Sequence, residues 1–307
     1  MSLTGTAVPS YQDPTSILPR ACMAGSSSTP LPYNFSPALH VNDIFFQMDA
    51  PPYLLARTNW QTLRDTDHEV AVLPWGSTEA HNYHLPYATD TIQCDYIAGE
   101  AARQAWDNGA RVLVLPTVPF GVNTGHLEIS GVVNMRPSTQ RAVLADVVES
   151  LATQGIFKLL VLNGHGGNAL KPLIREVNVD YDELFVSLAN WYEIGDQEAY
   201  FEAPGDHAGE METSVMLHIA PELVRSLDEA GPGTAQVFSI DALRSDWAWA
   251  EREWTQVTDD TGVGDPQAAS AEKGAAYLGE VTARLAELLV DLAAADLDAL
   301  YQRSPED

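Results

Sequence analysis

Four apolar runs alternate with segments of helical spacing along the middle of the chain. The runs occupy residues 70–73, 111–116, 158–162 and 184–189. They are apolar nearly throughout rather than at every second position, which is typical of strands buried on both faces. Between the runs, apolar residues recur at helical spacing, as in Ile97, Ala101 and Ala105. This alternation predicts an α/β fold, a single domain of three layers in which helices cover both faces of a mainly parallel sheet.

A helix is predicted shortly after the last strand, and it carries two glutamates with different expected environments. Glu212 shares a helical stripe with Val215 and Met216, so its carboxylate is expected to face the core. An inward carboxylate is costly unless it meets a cation or hydrogen-bond donors, which makes Glu212 a candidate functional residue. Glu210 lies on another side of the same helix and is expected to be solvated.

The last predicted helix is long and apolar along one face. The pattern predicts that it starts within residues 262–266, with Asp265 as the N-terminal cap and Pro266 in the first turn. Gly274 and Gly279 lie within this helix. We expect both to interrupt it at little cost.

The first 40 residues differ in composition from the rest of the chain. They are rich in Ser, Pro, Thr and Gly, as in the stretch 25–32, and they have no sustained periodicity. Such segments cannot bury enough apolar surface to fold by themselves. We therefore predict an extended or disordered N-terminal arm at residues 1–40 and one domain at residues 41–307.

The charge balance limits the possible partners. The 307 residues include 16 basic and 43 acidic side chains, giving a formal net charge of −27. This argues against nucleic acid or an anionic membrane as partner, because both are bound by clustered Lys and Arg. Cys22 and Cys94 are too few for a disulfide framework, and no apolar stretch is long enough to span a membrane. The start of the chain also lacks the pattern of a signal peptide, so we expect a cytoplasmic protein with a small-molecule substrate.

The loop after the first strand concentrates side chains that bind metals. Glu79, His81, His84 and Asp90 all fall within a short stretch that follows the apolar run ending at Leu73. Glu, His and Asp are ligands for divalent cations, and α/β proteins place their sites at the carboxyl ends of strands. Taken alone, a polar surface loop with incidental histidines explains this stretch equally well.

Two later segments have the same character. Residues 163–168 follow the third strand and place His165 among glycines, while residues 205–214 contain His207 and Glu212. Because the carboxyl ends of parallel strands share one edge of a sheet, all three segments are expected to converge there. A phosphate-binding loop is the alternative for 163–168, but that stretch lacks the Lys-Ser/Thr ending of a P-loop and the GxGxxG spacing of a dinucleotide site.

Together the three segments resemble the motifs of the creatininase (creatinine amidohydrolase) family of metal-dependent hydrolases. That family shows Gly-Ser-x-Glu-x-His, His-Leu-Pro and Thr-Asp, then Asn-Gly-His-Gly-Gly-Asn, then His-Ala-Gly-x-x-Glu-Thr-Ser. In this chain the same motifs occur in the same order at 76–81, 84–86, 89–90, 163–168 and 207–214. The resemblance covers about residues 50–295 and leaves the N-terminal arm unexplained.

The resemblance implies a site for two divalent metal ions, with Zn, Mn and Fe all compatible with the ligand types. Asp90 would bridge the two ions, Glu79 and His165 would bind one of them, and His81 would bind the other. Water held between the ions would then attack a carbonyl group.

One ligand of the family is missing from the chain. Creatininase has a metal-binding glutamate at the position that is Gly167 here. The inward-facing Glu212 is the candidate replacement as a metal ligand and catalytic residue, with structural support or a contact to another ligand as its alternatives. The resemblance also implies that His207 is the catalytic general acid and base.

Four further residues are candidate substrate contacts: His84, His126, Trp75 and Trp191. Core packing is the alternative for the two tryptophans, a structural role for His84 and an exposed position for His126. Creatininase closes over its substrate with a tryptophan shortly before the His-Ala-Gly motif, where this chain has residues 203–205, Ala-Pro-Gly. This difference argues against creatinine itself.

The implied activity is that of a metal-dependent amidohydrolase, which cleaves a non-peptide C–N bond in a small cyclic amide or amidine. One alternative keeps the same site but acts on a linear amide or an N-formyl group. Another is a non-catalytic protein that only binds metal. Members of the family assemble as homo-oligomers, often hexamers, so the resemblance also implies a homo-oligomer.

Overall fold

A parallel sheet lies at the centre of the molecule. The computed structural model describes residues 51–302, so the predicted arm at residues 1–40 lies outside the described residues. The strands are β1 (Val70–Trp75), β2 (Val112–Val114), β3 (Lys158–Asn163) and β4 (Phe185–Asn190). Their order is β2-β1-β3-β4, and every neighbouring pair is parallel. The predicted α/β class is confirmed, and β2 is shorter than the apolar run that predicted it.

Helices connect and cover these strands. They are α1 (Trp60–Arg64), α2 (Thr89–Asp107), α3 (Pro137–Thr153), α4 (Leu170–Asp180), α5 (Glu210–Ile219), α6 (Asp241–Arg244), α7 (Trp254–Val257) and α8 (Ala271–Ala294). Short 3-10 turns occur at Thr124–His126, Trp191–Glu193, Gln197–Ala199, Pro221–Leu223, Leu227–Glu229 and Leu297–Ala299. Within residues 51–302, no helix combines the length and the apolar character that crossing a membrane requires.

The sheet separates two apolar cores, which accounts for strands that are apolar on both faces. In β1, Val70 and Val72 belong to the core formed with α2 and α8. The alternate residues Ala71 and Leu73 belong to the opposite core, formed with α3 and α4. Because successive side chains of a strand point to opposite faces, both faces are buried and the three predicted layers result.

The start of the last helix differs from the prediction. Helix α8 begins at Ala271, and the Ser270 hydroxyl caps it by accepting a hydrogen bond from the Lys273 backbone N–H. The Asp265 carboxylate instead accepts a hydrogen bond from the Gln267 backbone N–H, 3.0 Å away, in a turn before the helix. The predicted start at residues 262–266 was therefore wrong, because Asp is as effective in closing a local turn as in capping a helix.

Glu210 is also placed differently from the prediction. It is completely buried rather than solvated. Its carboxylate accepts hydrogen bonds from the backbone N–H groups of Glu202 and Ala203, at 2.9 and 2.8 Å, and from Lys273 Nζ at 2.5 Å. Burial opposes ionisation of Glu210, but these donors outweigh it and its pKa is lowered. The prediction failed because the chain before α5 covers the start of that helix.

Helices α5 and α8 approach closely at Gly274. A Cβ atom added to Gly274 would lie 2.0 Å from the Ser214 backbone O in α5. Gly279 lies five residues further along α8, and a Cβ atom added there would have no heavy atom within 4 Å. Gly274 is therefore required by the contact between the helices, and only Gly279 is the inexpensive interruption that was predicted.

The two glycines form a matched pair for a stability test. Gly274→Ala should lower the free energy of unfolding by about 3 kcal/mol, because the helices must move apart. Gly279→Ala should raise it by up to about 1 kcal/mol, because alanine is the better helix former. Thermal unfolding followed by circular dichroism measures both changes. Equal melting temperatures for the two variants would contradict the close approach at Gly274.

Candidate metal centre

The predicted ligands come from loops and helix starts at the carboxyl edge of the sheet. Glu79 and His81 lie in the loop that follows β1, and Asp90 lies in the first turn of α2. His165 follows β3, the neighbour of β1 in the sheet. His207, from the third segment, precedes α5, and α5 carries Glu212 in its first turn. The predicted convergence of the three segments is thus observed.

Asp90 lies between two histidines from different loops. Its Oδ1 is 2.9 Å from His81 Nε2, and its Oδ2 is 3.3 Å from His165 Nδ1. Glu79 Oε1 is 3.0 Å from the same His165 nitrogen, while Glu212 Oε2 is 4.0 Å from His81 Nε2. Each oxygen of Asp90 therefore faces a separate set of side chains.

Within residues 51–302, three groups of side chains bring their ligand atoms within 4.8 Å of one another. They are Glu79, Asp90 and His165; His81, Asp90 and Glu212; and Glu79, His81 and His207. The first two groups share Asp90 alone and contain the five ligands that the sequence predicted. The third adds His207, whose Nδ1 is 3.7 Å from Glu79 Oε1.

The donor atoms of this cluster fit divalent cations. Glu79 Oε2, His81 Nε2 and Asp90 Oδ2 are buried, and although each lies within 3.3 Å of a polar atom of a neighbouring side chain, none of these contacts has hydrogen-bond geometry. Buried polar atoms without a partner cost free energy, and charged ones cost more. A cation accepts lone pairs from such atoms without requiring hydrogen-bond geometry, so bound metal would remove this cost.

Backbone carbonyl groups orient the histidine rings. His165 Nε2 lies 2.9 Å from the Val122 carbonyl O, and His207 Nε2 lies 2.8 Å from the Ala80 carbonyl O. His81 Nδ1 is 3.2 Å from the Glu79 carbonyl O. An N–H donated to each carbonyl leaves the lone pair of the other ring nitrogen directed at the cluster, as in metal-binding histidines generally.

The electrostatics of the cluster favour positive charge at its centre. Burial opposes ionisation of His81, but Asp90 outweighs it and raises the pKa of His81 to about 10. His165 follows the same pattern, with Glu79 as the main opposing charge, and its pKa is raised. Burial raises the pKa of Glu212 to about 7. Without cations, the cluster therefore binds protons at the positions where metal would bind.

His207 has the opposite behaviour. Burial, together with the positive charge on His81, lowers the pKa of His207 to about 4. The ring is therefore neutral at physiological pH, and its Nδ1 is available to accept a proton or to bind a cation. It stacks at 4.1 Å between ring centroids on His81.

The surroundings of Gly167 leave no room for the metal-binding glutamate that creatininase has at this position. A Cβ atom at residue 167 would lie 2.3 Å from the Val122 carbonyl O and 2.4 Å from His165 Nε2. These are the two atoms whose hydrogen bond orients the His165 ring. Any side chain at residue 167 would disturb that bond, so a ligand for the second group must come from elsewhere.

Three of the predicted substrate contacts lie in the protein interior. Trp75 and Trp191 are completely buried, the first donating its Nε1–H to the Phe120 carbonyl O and the second packing in the core beside α8. His84 is also buried, with its Nε2 2.8 Å from the Thr213 hydroxyl. These positions agree with the alternatives of core packing for the tryptophans and a structural role for His84, and the assignment of the three residues as substrate contacts stays a prediction.

The fourth candidate, His126, lies at the edge of the cluster. Its Nδ1 is 3.0 Å from Glu79 Oε2, and 12% of its side chain is exposed. The ring packs against Trp254, with 4.4 Å between the ring centroids. Its role as a substrate contact stays a prediction, and the structure gives it the position that this role needs.

The sequence motifs give no indication of the segment that contains Arg252 and Trp254. The Trp254 ring lies 5.3 Å from the His207 ring, edge to face. Arg252 pairs with Asp206, the residue before His207. The segment has no recognisable motif, and the signal available in the sequence was the concentration of tryptophans at residues 247–254 in a stretch without helical or strand periodicity.

The side chains of this cluster are of the types that bind divalent metal ions, and comparison with known proteins identifies the family. The model of the creatinine amidohydrolase family matches residues 56–289. The chain therefore belongs to the creatininase family, as its motifs predicted.

Individual relatives show the range of that family. The crystal structure of a putative creatinine amidohydrolase from Bacteroides fragilis is 44% identical, has a TM-score of 0.77, and covers 80% of this chain and 98% of its own. A mycofactocin precursor peptide peptidase from Mycobacterium ulcerans is 30% identical over 220 residues, which are 68% of this chain and 80% of the relative. A manganese form of creatininase shares the fold at 19% identity and a TM-score of 0.65, over 79% of this chain and 99% of its own.

The raised histidine pKa values predict that binding of divalent cations releases protons. At pH 8 the cation-free cluster should hold a proton on His81, whose pKa is raised to about 10, so uptake of Zn²⁺ should release about one proton or more per chain. The affinity for Zn²⁺ should rise between pH 6 and pH 9. Titration in weak buffer with a pH indicator measures both effects, and His218→Gln, which alters an exposed histidine outside the cluster, should behave like the wild type. An affinity independent of pH would contradict this prediction.

Proposed function

We propose that the protein is a metal-dependent amidohydrolase that holds two divalent cations and cleaves an amide C–N bond of a small substrate. The observation that carries the proposal is the position of Asp90, whose two oxygens face two different groups of ligands. A bridging ligand needs two acceptor oxygens, which a carboxylate has and a histidine ring lacks.

The residues available fit the proposed ions. Glu79, Asp90 and His165 would hold one ion, and His81, Asp90 and Glu212 would hold the other. Mixed histidine and carboxylate ligands suit Zn, Mn or Fe. When bound, a pair of such ions lowers the pKa of water and polarises a carbonyl group.

The chain's own residues would supply orientation and proton transfer. His207 is neutral, buried and held by the Ala80 carbonyl group, so its Nδ1 is suited to take a proton from the attacking water and pass it to the leaving nitrogen. The same nitrogen also belongs to a possible ligand group with Glu79 and His81. Proton transfer is the better assignment because the two groups that share Asp90 each already contain three ligands.

Two kinds of amide are candidate substrates. A cyclic amide or amidine is the first, by analogy with the creatinine amidohydrolases of the family. A linear amide is the second, and the similarity to mycofactocin precursor peptide peptidases favours it. Assembly as a homo-oligomer and a cytoplasmic location stay predictions.

Removing Asp90 should abolish both metal uptake and hydrolysis. Elemental analysis should find two ions per chain in the wild type and none in Asp90→Ala, because the bridging oxygens of both groups are lost. Asp95→Ala, which changes an exposed carboxylate on the same helix, should keep both ions. Hydrolysis is measured on zinc- and manganese-loaded protein with lactams, cyclic ureas, N-acyl amino acids and formamides. Unchanged turnover in Asp90→Ala would overturn the proposal.

Removing Glu212 should affect one ion only. Glu212→Gln should reduce the metal content from two ions per chain to one, because Glu79, Asp90 and His165 remain. Glu222→Gln, which changes an exposed glutamate just beyond α5, is the control. Adding Gly167→Glu to Glu212→Gln should not restore the second ion, because a side chain at residue 167 collides with the Val122 carbonyl group. Retention of two ions by Glu212→Gln would show that Glu212 is not a ligand.

A further inference from the structure

Residues 251–254 join the two loops that carry His126 and His207. Arg252 Nη1 donates a hydrogen bond to Asp206 Oδ2 at 2.7 Å, next to His207. The Arg252 carbonyl O lies so close to Gly125 that a Cβ atom there would be 2.1 Å from it. The neighbouring Glu251 accepts a hydrogen bond from the Thr124 hydroxyl. The segment is therefore held on both loops at the rim of the cluster.

Trp254 holds the Arg252 guanidinium near the cluster. The guanidinium carbon lies 4.7 Å from the centroid of the Trp254 ring. The same ring contacts His126 at 4.4 Å and His207 at 5.3 Å between centroids. The guanidinium of Arg252 and the two histidines thus contact the same indole ring, and stacking limits the orientation of the guanidinium.

Arg252 keeps hydrogen-bonding capacity for a ligand. A guanidinium group has five N–H donors, and within residues 51–302 its side chain makes one hydrogen bond, to Asp206. The side chain is 43% exposed, so the other donors are accessible from the solvent. Arginine forms paired hydrogen bonds with a carboxylate, which fixes the orientation of the bound group.

The positive charge of Arg252 stands out because the protein around it is acidic. The chain has a net charge of −27, and the cluster itself contains the carboxylates of Glu79, Asp90 and Glu212. Outside the metal ligands, the acidic surface would repel a carboxylate of the substrate unless a positive group at the rim received it. Arg252 is placed to be that group, because it contacts the same Trp254 ring as His126 and His207 while its guanidinium stays accessible to solvent.

We propose that Arg252 determines specificity by binding a carboxylate of the substrate, so that the substrate class is an amide bearing a free carboxylate near the bond that is cleaved. This inference rests on the proposed amidohydrolase function. N-acyl amino acids and short peptides with a free C-terminus have this chemistry.

Binding to cation-free protein tests the inference without the metals, which would themselves attract carboxylates. The probes are N-acetyl-phenylalanine and its uncharged carboxamide, with tryptophan fluorescence as the readout. The wild type should bind the acid about tenfold or more tightly than the amide, as expected for a charge-assisted hydrogen bond. Arg252→Gln should abolish this preference, and Arg252→Lys should keep part of it.

Two further variants separate recognition from structural support. Arg244→Gln changes an exposed arginine of α6 that pairs with Asp241, and it should keep the full preference for the acid. Asp206→Asn removes the carboxylate that competes for Arg252, and it should strengthen binding of the acid severalfold. A merely structural role for the Asp206–Arg252 pair predicts equal weakening for both probes in Asp206→Asn and in Arg252→Gln.

The results of these binding experiments can overturn the role of Arg252 without overturning the proposed amidohydrolase function. If the wild type binds neither probe, binds both equally, or keeps its preference in Arg252→Gln, the inference is overturned. The kcat/KM ratio for the same two probes on zinc-loaded protein provides the second readout. Hydrolysis of both probes at equal kcat/KM would overturn the inference and leave the amidohydrolase proposal intact. A preference in binding without hydrolysis of any amide by metal-loaded protein would count against the amidohydrolase proposal alone.

Discussion

The buried carboxylate of Asp90 is the interaction on which the rest of the candidate site depends. It lies in the first turn of α2, where the partial positive charge at the start of a helix favours an anion. Its two oxygens face His81 and His165, which come from the loops after β1 and β3. Burial of Asp90 opposes ionisation, yet His81 outweighs that cost and lowers its pKa. The negative charge on Asp90 and the positive charge on the neighbouring histidines therefore stabilise each other. Metal cations would supply positive charge at the same place.

The sheet determines which loops can meet. Strands β1 and β3 are neighbours, with Trp75 paired to Asn163, and the Gly164 backbone N–H donates a hydrogen bond to the Trp75 carbonyl O. The two loops therefore leave the sheet side by side. His207 is positioned by other means, since its backbone N–H and C=O both form hydrogen bonds with Val263. The centre thus combines ligands fixed by the parallel sheet with one residue held by a contact distant in sequence.

Glycines that lie against neighbouring backbone account for the way this chain differs from the family's ligand pattern. Gly167 cannot carry a side chain because Val122 and His165 occupy the space around it. The proposed replacement for the missing ligand is Glu212, from the helix that packs on α8 through Gly274. A third close approach lies at the rim, where a Cβ atom on Gly125 would be 2.1 Å from the Arg252 carbonyl O.

The amino-acid sequence by itself determined the alternation of buried strands and helices and the membership of Glu79, His81, Asp90, His165 and His207 in one site. The strands and helices follow from local patterns, and the grouping of Glu79, His81, Asp90 and His165 follows from the rule that parallel strands share one edge of a sheet. His207 is indicated by the motif that contains it. Only the tertiary structure decided the environment of Glu210, the burial of Trp75, Trp191 and His84, the start of α8, and the arrival of Arg252 at the rim. Each of these depends on which distant segment covers a residue, and local periodicity carries no information about contacts between segments far apart in the chain.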